Sequence, residues 1–173
     1  RRCTRIMTKA LLDGDIFAFR VACTTENDPD GIAIYRINEM IEQCLAEVDA
    51  DEYNIFLTSK DNFRKKIYPE YKANRAKTPD EFRSQMGYLH DLVKGFGISQ
   101  FEVEGFEADD IIATITRQAE KDGAEVLICT GDRDSFQLVS QQTTVLYPKR
   151  GVSELARMTP AAVQEKYGMT PIQ

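Results

Sequence analysis

Three clusters of carboxylates in this chain each adjoin a short apolar run, and that pattern limits what the chain can build. Ala10-Leu11-Leu12 leads into Asp13-Gly14-Asp15. Val126-Leu127-Ile128 leads into Cys129-Thr130-Gly131-Asp132-Arg133-Asp134. The densest group, Gly105-Phe106-Glu107-Ala108-Asp109-Asp110, stands directly before Ile111-Ile112-Ala113-Thr114-Ile115. Glu107 and Asp110 are three apart and share a helix face, with Asp109 beside them. A helix N-terminus, with its free N–H groups and dipole, favours one or two acids. It does not account for three crowded ones, whose mutual repulsion calls for a neutralising cation. Acids at the ends of three apolar elements predict one hard-cation site assembled from three parts of the chain.

The spacing of apolar residues assigns the elements between these clusters. Residues 9–13 read as a first strand. Ile34, Ile37, Met40, Ile41, Cys44, Leu45 and Val48 recur every three or four residues and predict an amphipathic helix over about 31–49. Tyr53 to Thr58 reads as a second strand, and residues 59–78, charged and without apolar periodicity, as a surface loop. Thr78-Pro79-Asp80-Glu81 opens a helix as an N-cap, a proline and a closing Glu, and Gly95 and Gly97 stop it. Further strands follow at 101–103, 125–129 and 144–147. Helices are expected from 107 to about 122, over 135–138, and from Thr159-Pro160 onward. Strands alternating with helices predict an α/β fold with a mainly parallel central sheet and helices on both faces. Ligands of such sheets bind beyond the carboxyl ends of the strands, where Asp13, Asp132 and Asp134 fall.

The 173 residues fit one domain with a substantial core. No apolar run approaches the roughly 18–20 residues that a membrane span requires. Residues 1–8 are expected to be an extension, with Met7 a possible start. Cys3, Cys23, Cys44 and Cys129 lack metal-ligand spacing, and we expect buried or free thiols in a reducing cytoplasm.

The net charge of −6 argues against a nucleic-acid partner only until its distribution is considered. Residues 64–77 carry Arg64, Lys65, Lys66, Lys72, Arg75 and Lys77 against Glu70 alone, a local excess of five positive charges. Phe63, Tyr68 and Tyr71 are interleaved with them. Such a segment suits a phosphate backbone with stacked bases or sugars. Carboxylate clusters without His or Cys select Mg²⁺ or Mn²⁺ over zinc. Pairs of such ions support phosphodiester hydrolysis, so the two features together predict a metal-dependent nuclease.

Three ordered motifs carry a resemblance: Tyr68-Pro69-Glu70-Tyr71-Lys72-Ala73-Asn74-Arg75, Gly105 to Asp110, and Thr130-Gly131-Asp132-Arg133-Asp134. They resemble the 5′-nuclease family, which includes the 5′→3′ exonuclease domain of bacterial DNA polymerase I, phage 5′ exonucleases and flap endonucleases. The likeness covers about 9–173. It is strongest from Tyr68 onward, toward the polymerase I domain, whereas 9–66 is similar to the shorter phage enzymes.

The resemblance implies a resolvase-like (PIN-like) catalytic domain over 9–157, with 158–173 beginning a connection to a DNA-binding region. It implies cleavage of DNA, with RNA as an alternative substrate, at 5′ ends, flaps or branches, by a monomer in the cytoplasm of a bacterial or phage-infected cell. Asp13, Glu107, Asp109, Asp110, Asp132 and Asp134 match the family's metal ligands. Lys72 and Arg75 match basic residues that engage the scissile phosphate, with Tyr71 near them and Arg64, Lys65 and Lys66 as further substrate contacts. Lys72, Arg75 and Asp13 are the implied catalytic residues.

The chain departs from the family twice. Phe56-Leu57-Thr58-Ser59 stands where the family usually has a strand-end Asp, and Asp61 is out of register with that position. The family's helix–three-turn–helix region, which adds further ligands, is absent from this sequence, so the second metal site is expected to be incomplete.

Taken singly, these residues also suit local roles: Glu107 and Asp109 as helix-start acids, Asp132 and Asp134 as turn formers, Asp15 as a cap, and the 64–77 segment as a solvated face. His90 is expected to be structural or surface-exposed. Two other readings compete with the nuclease. One is a haloacid-dehalogenase-like phosphatase with Asp13 as nucleophile, Asp15 as acid/base, Thr58 or Ser59 as the hydroxyl, and Asp132 on metal. The other is a nuclease-like domain that binds branched nucleic acid without cutting it.

Overall fold

The computed structural model describes residues 5–25, 32–74, 89–148 and 155–172. Its elements in chain order are β1 (Thr8–Asp13), α1 (Gly14–Thr25), α2 (Ile32–Glu47), β2 (Glu52–Leu57) and α3 (Phe63–Ile67). Residues 89–95 form the described part of α4. Then come β3 (Ser99–Glu102), α5 (Ala108–Lys121), β4 (Glu125–Cys129), a 3-10 helix (Arg133–Leu138), β5 (Thr143–Pro148), β6 (Leu155–Met158) and α6 (Pro160–Tyr167).

The six strands form one sheet in the order β3-β2-β1-β4-β5-β6. All neighbours are parallel except β5 and β6. The sheet is covered on both faces, so its strands alternate apolar side chains between two cores. Ala10, Leu12, Ile55 and Leu57 join Phe17, Ile37, Ile41 and Val93 on one face. Leu11, Phe56, Val126 and Ile128 join Ile111, Ile112, Phe136 and Val163 on the other. This is the α/β architecture expected from the sequence, with helices on both faces. Cys44 and Cys129 are free and buried, as expected. His90 is exposed and pairs with Gln100 at 2.7 Å.

Three elements differ from the expectations. Residues 14–25 form α1 directly after β1. The segment over 59–78 is not loop throughout: Asn62 caps α3 by accepting from the Arg64 N–H at 2.8 Å. The antiparallel strand β6 extends the sheet across position 157, and Val163 of α6 packs into the second core. The predicted Thr78–Glu81 helix start lies outside the described residues.

The β1–α1 junction is tight. A Cβ on Gly14 would meet a Leu57 methyl at 2.5 Å and the Phe56 carbonyl at 2.9 Å, so only glycine lets the chain turn there beside β2. That turn leaves Asp13 buried at the carboxyl edge of the sheet.

Candidate active site

All three acidic clusters come to the carboxyl edge of the sheet. Asp13 ends β1, Asp132 follows β4, and Glu107 precedes α5. Short hydrogen bonds fix the edge. The Thr130 hydroxyl donates to Asp13 at 2.8 Å and accepts from the Asp132 N–H at 3.1 Å. Asp13 also accepts from the Ile16 N–H at 3.3 Å, at the start of α1. Asp15 accepts from the Thr58 N–H at 3.2 Å, which ties α1 to the end of β2. The Thr58 hydroxyl in turn accepts from the Ala108 N–H at 2.9 Å and seats α5. Thr58 thus ties the end of β2 to both α1 and α5, and Asp61 is exposed.

The carboxylates fall into two electrostatic groups. Asp13 is 2% exposed, and burial first of all, with Asp109 and Asp15 adding repulsion, pushes its pKa up to about 7 against its hydrogen bonds from Thr130 and Ile16. Asp109 keeps an exposed tip, yet lost hydration and then the charges of Asp132, Glu107 and Asp15 push it up to about 6, against the pull of Lys72. These carboxylates crowd one another, and among the described residues no cation is bonded to them.

Glu107 and Asp110 are held instead by the basic segment. Arg64 grips Asp110 through both guanidinium nitrogens, at 2.5 and 2.7 Å. That fork holds Asp110 below the usual carboxylate range and raises the Arg64 pKa. Asp110 also accepts from the Glu107 N–H at 3.2 Å, capping α5. Buried Glu107 receives Lys72 at 2.8 Å, Asn62 at 2.6 Å and the Tyr71 hydroxyl at 3.2 Å. Burial opposes the Lys72 charge, but its hydrogen bonds with Glu107 and Tyr71 outweigh this and raise its pKa.

Backbone geometry brings the two segments together. Gly105, at φ +87°, turns the chain so that Asn62 and Gly105 form a β-bridge, and its carbonyl accepts from Phe63 at 2.9 Å. Phe63 and Phe106 lie 5.5 Å apart, and Arg64 lies 4.7 Å over the Phe63 ring. Lys72 has φ +57°, a left-handed conformation that costs a side-chain-bearing residue of order 1 kcal/mol. It folds the ammonium back onto Glu107.

The structure therefore brings Asp13, Asp109 and Asp132 within mutual influence, and it places Arg64, Tyr71 and Lys72 on the acidic loop. Lys65 and Lys66 are exposed on α3, and Asp134 is exposed on the 3-10 helix, where its N–H donates to Asp132. Arg75 lies outside the described residues. The six-carboxylate cluster is not gathered as one cage. Among the described residues, no group of three or more His, Cys, Asp or Glu side chains is arranged to hold a metal ion. The reason is visible in the ion pairs: Arg64 and Lys72 occupy two of the acids. The sequence signal missed was Asn62, which caps α3 and anchors Glu107 at the same time.

The donors at this edge are carboxylate oxygens, and Asp13 and Asp109 are short of positive charge, which fits a hard divalent cation. A resolvase-like α/β sheet with acids at its carboxyl edge, faced by a basic segment, is the class that fold and site define. The chain belongs to the 5'-3' exonuclease N-terminal resolvase-like domain family, whose model matches residues 8–168.

It is 48% identical over 174 residues to DNA polymerase I of Mycobacterium tuberculosis, covering 96% of this chain and 19% of that protein. DNA polymerase I of Bacillus subtilis is 37% identical over 169 residues, covering 94% and 19%. The chain thus spans about a fifth of the length of these curated relatives. The T5 D15 protein co-crystallized with metal ions shares the fold at a TM-score of 0.71 and 19% identity, over 93% of this chain and 61% of that one. Human GEN1 in complex with Holliday junction DNA superposes at 0.57 and 15% identity, over 94% and 41%. Among the described residues, no helix is long and apolar enough to cross a membrane.

Proposed function

We propose that this chain is a metal-dependent 5′-nuclease domain that hydrolyses phosphodiester bonds of DNA at 5′ ends, flaps or branches. The observation that carries this reading is the divided acidic edge. Among the described residues no cation is bonded to Asp13 or Asp109, with Asp132 beside them, while Lys72 and Arg64 stand at the neighbouring acids. Membership of the 5'-3' exonuclease N-terminal domain family supports it.

A bound divalent ion supplies water activation and leaving-group stabilisation in phosphodiester hydrolysis. Asp13, Asp109 and Asp132 would hold it, with exposed Asp134, and with Glu107 and Asp110 joining once Lys72 and Arg64 release them. Mg²⁺ and Mn²⁺ fit these oxygen donors. Lys72, half-exposed beside Glu107, meets the scissile phosphate and stabilises its developing charge, and Arg75 and Tyr71 extend that contact. Arg64, Lys65 and Lys66 hold the strand on α3. DNA is the expected substrate, with RNA as a second one, and the chain acts as a monomer in the cytoplasm. In the competing phosphatase reading Asp15 is the acid/base; here its carboxylate is engaged with the Thr58 N–H.

The test is hydrolysis of a 5′-flap DNA with Mg²⁺, Mn²⁺ or EDTA, for wild type and Asp132→Asn. We expect cleavage that needs metal and is lost in the variant. Metal-independent binding without product would favour the second reading, a domain that holds branched DNA without cutting it; the engagement of Glu107 and Asp110 by Lys72 and Arg64 is what favours that reading.

A further inference from the structure

A second cationic surface lies on the far side of the carboxylates from α3. Arg133 opens the 3-10 helix between Asp132 and Asp134, Tyr147 lies near the end of β5, and Lys166 and Tyr167 close α6. The buried ring of Phe136 joins them, with Tyr147 edge-on at 5.5 Å and Tyr167 at 5.9 Å. The Lys166 ammonium is 5.6 Å from the Tyr147 ring centre and 5.5 Å from that of Tyr167. Arg133 faces the same two tyrosines.

This arrangement differs from the α3 side. There, Arg64 and Lys72 each bind a carboxylate. Here two cations converge on two rings, and among the described residues neither has a carboxylate partner. Cation–ring attraction holds the Lys166 ammonium beside the two rings. The positive charge itself remains available for an anion. Tyr167 is 37% exposed, so a ring is open to a planar partner beside that charge. Phosphate next to an aromatic stacking surface is the chemistry of a nucleotide unit.

The sheet order sets the spacing. From β2, which leads into α3, to β5, which carries Tyr147, there are three strand intervals, or about 14 Å. That is roughly four nucleotide steps of a duplex strand. The carboxylates at the ends of β1 and β4 lie between the two.

We propose that Arg133, Tyr147, Lys166 and Tyr167 form a second nucleic-acid contact, which takes a phosphate and its adjoining base across the acidic edge from α3. This rests on the nuclease reading above. The strand then enters on one cationic surface and leaves on the other, and the bond to be cut is held between them.

The test is fluorescence anisotropy of a labelled flap DNA in EDTA, titrated with the full chain over a range of salt. The proteins compared are wild type, Arg133→Gln/Lys166→Gln, Tyr167→Leu and Lys65→Gln/Lys66→Gln. Loss of the cations at one phosphate makes the dependence of log affinity on log salt shallower by about one. The Arg133→Gln/Lys166→Gln variant is expected to show that change, with about tenfold weaker binding near 0.1 M salt. Tyr167→Leu keeps the packing on Phe136 and is expected to weaken binding with an unchanged slope. If Arg133→Gln/Lys166→Gln matches wild type while Lys65→Gln/Lys66→Gln is shallower, this contact is overturned and the nuclease reading stands. If wild type shows no salt-dependent binding at all, both fall.

Discussion

Asp13 and Asp110 belong to one acidic edge but are held in opposite ways. Asp13 is buried behind Thr130 with like charges near it, and its proton stays on up to about pH 7. Asp110 lies in the fork of Arg64 and gives up its proton more readily than usual. Asp109 follows the first pattern, and Glu107, with Lys72 at 2.8 Å, has its cation built in. The difference separates the acids that the fold pairs with an internal cation from those that, among the described residues, have none. It also gives the basic segment an observed role as counter-charge for the acids, beside the phosphate contact proposed for it.

Breaking the unpaired side has the largest expected effect. Asp13→Asn keeps an acceptor for Thr130 but removes the charge. We expect Mn²⁺ affinity to fall by more than about a hundredfold in calorimetry, beyond what losing an outer-shell partner costs. The same substitution sharpens the comparison in the metal-free protein. With its pKa raised from 3.8 to about 7, Asp13 favours the folded state below its unfolded pKa and loses that contribution as pH rises through 7. Thermal unfolding in EDTA should therefore show wild type losing up to roughly 4 kcal/mol between pH 4 and 8 through this group. The Asn variant lacks that loss and is the more stable protein at pH 8.

On the paired side, Lys72→Ala removes the charge next to Glu107 and the proposed phosphate contact. Single-turnover flap cleavage should slow by about 10²–10³-fold, the range for losing one preorganised donor. Arg64→Gln has a smaller effect. The pair is partly exposed, so we expect about 1 kcal/mol of destabilisation at pH 7. Its pH dependence has the opposite sign to that of Asp13: the depressed Asp110 contributes above its unfolded pKa of 3.8 and loses this as pH falls through its lower folded pKa, so the variant and wild type should converge in acid. Asp15→Asn should have the smallest effect, within about twofold in cleavage, because Asn still accepts from Thr58. A phosphatase would lose its acid/base in that variant.

The sequence made the acids legible because each ends a short apolar element, and in a parallel sheet those ends share one edge. The amphipathic helix expected over 31–49 is α2 at Ile32–Glu47, and the strand at 125–129 is β4. α1 was not legible: Ile16-Phe17-Ala18-Phe19 is a continuous apolar run, and Phe17 is buried while Phe19 is 70% exposed. β6 was missed because it is four residues long, antiparallel and at the sheet edge. The ion pairs were out of reach for another reason. Arg64 and Asp110 are 46 residues apart, and nothing in local spacing predicts that Asn62 and Gly105 would bridge and join them. Sequence spacing gives the inventory of charges, whereas the pairing follows from tertiary contacts.

The account stands or falls on whether the acids without an internal cation take one from solution. Calorimetric titration of the wild-type chain with Mn²⁺ at pH 6.5, in buffers of different ionisation enthalpy, and again at pH 8, measures this directly. We expect binding at both pH values. Proton release should be clear at pH 6.5, where Asp13 still holds much of its proton, and smaller at pH 8. No binding heat at pH 8, or binding that Asp13→Asn leaves intact, would contradict the account.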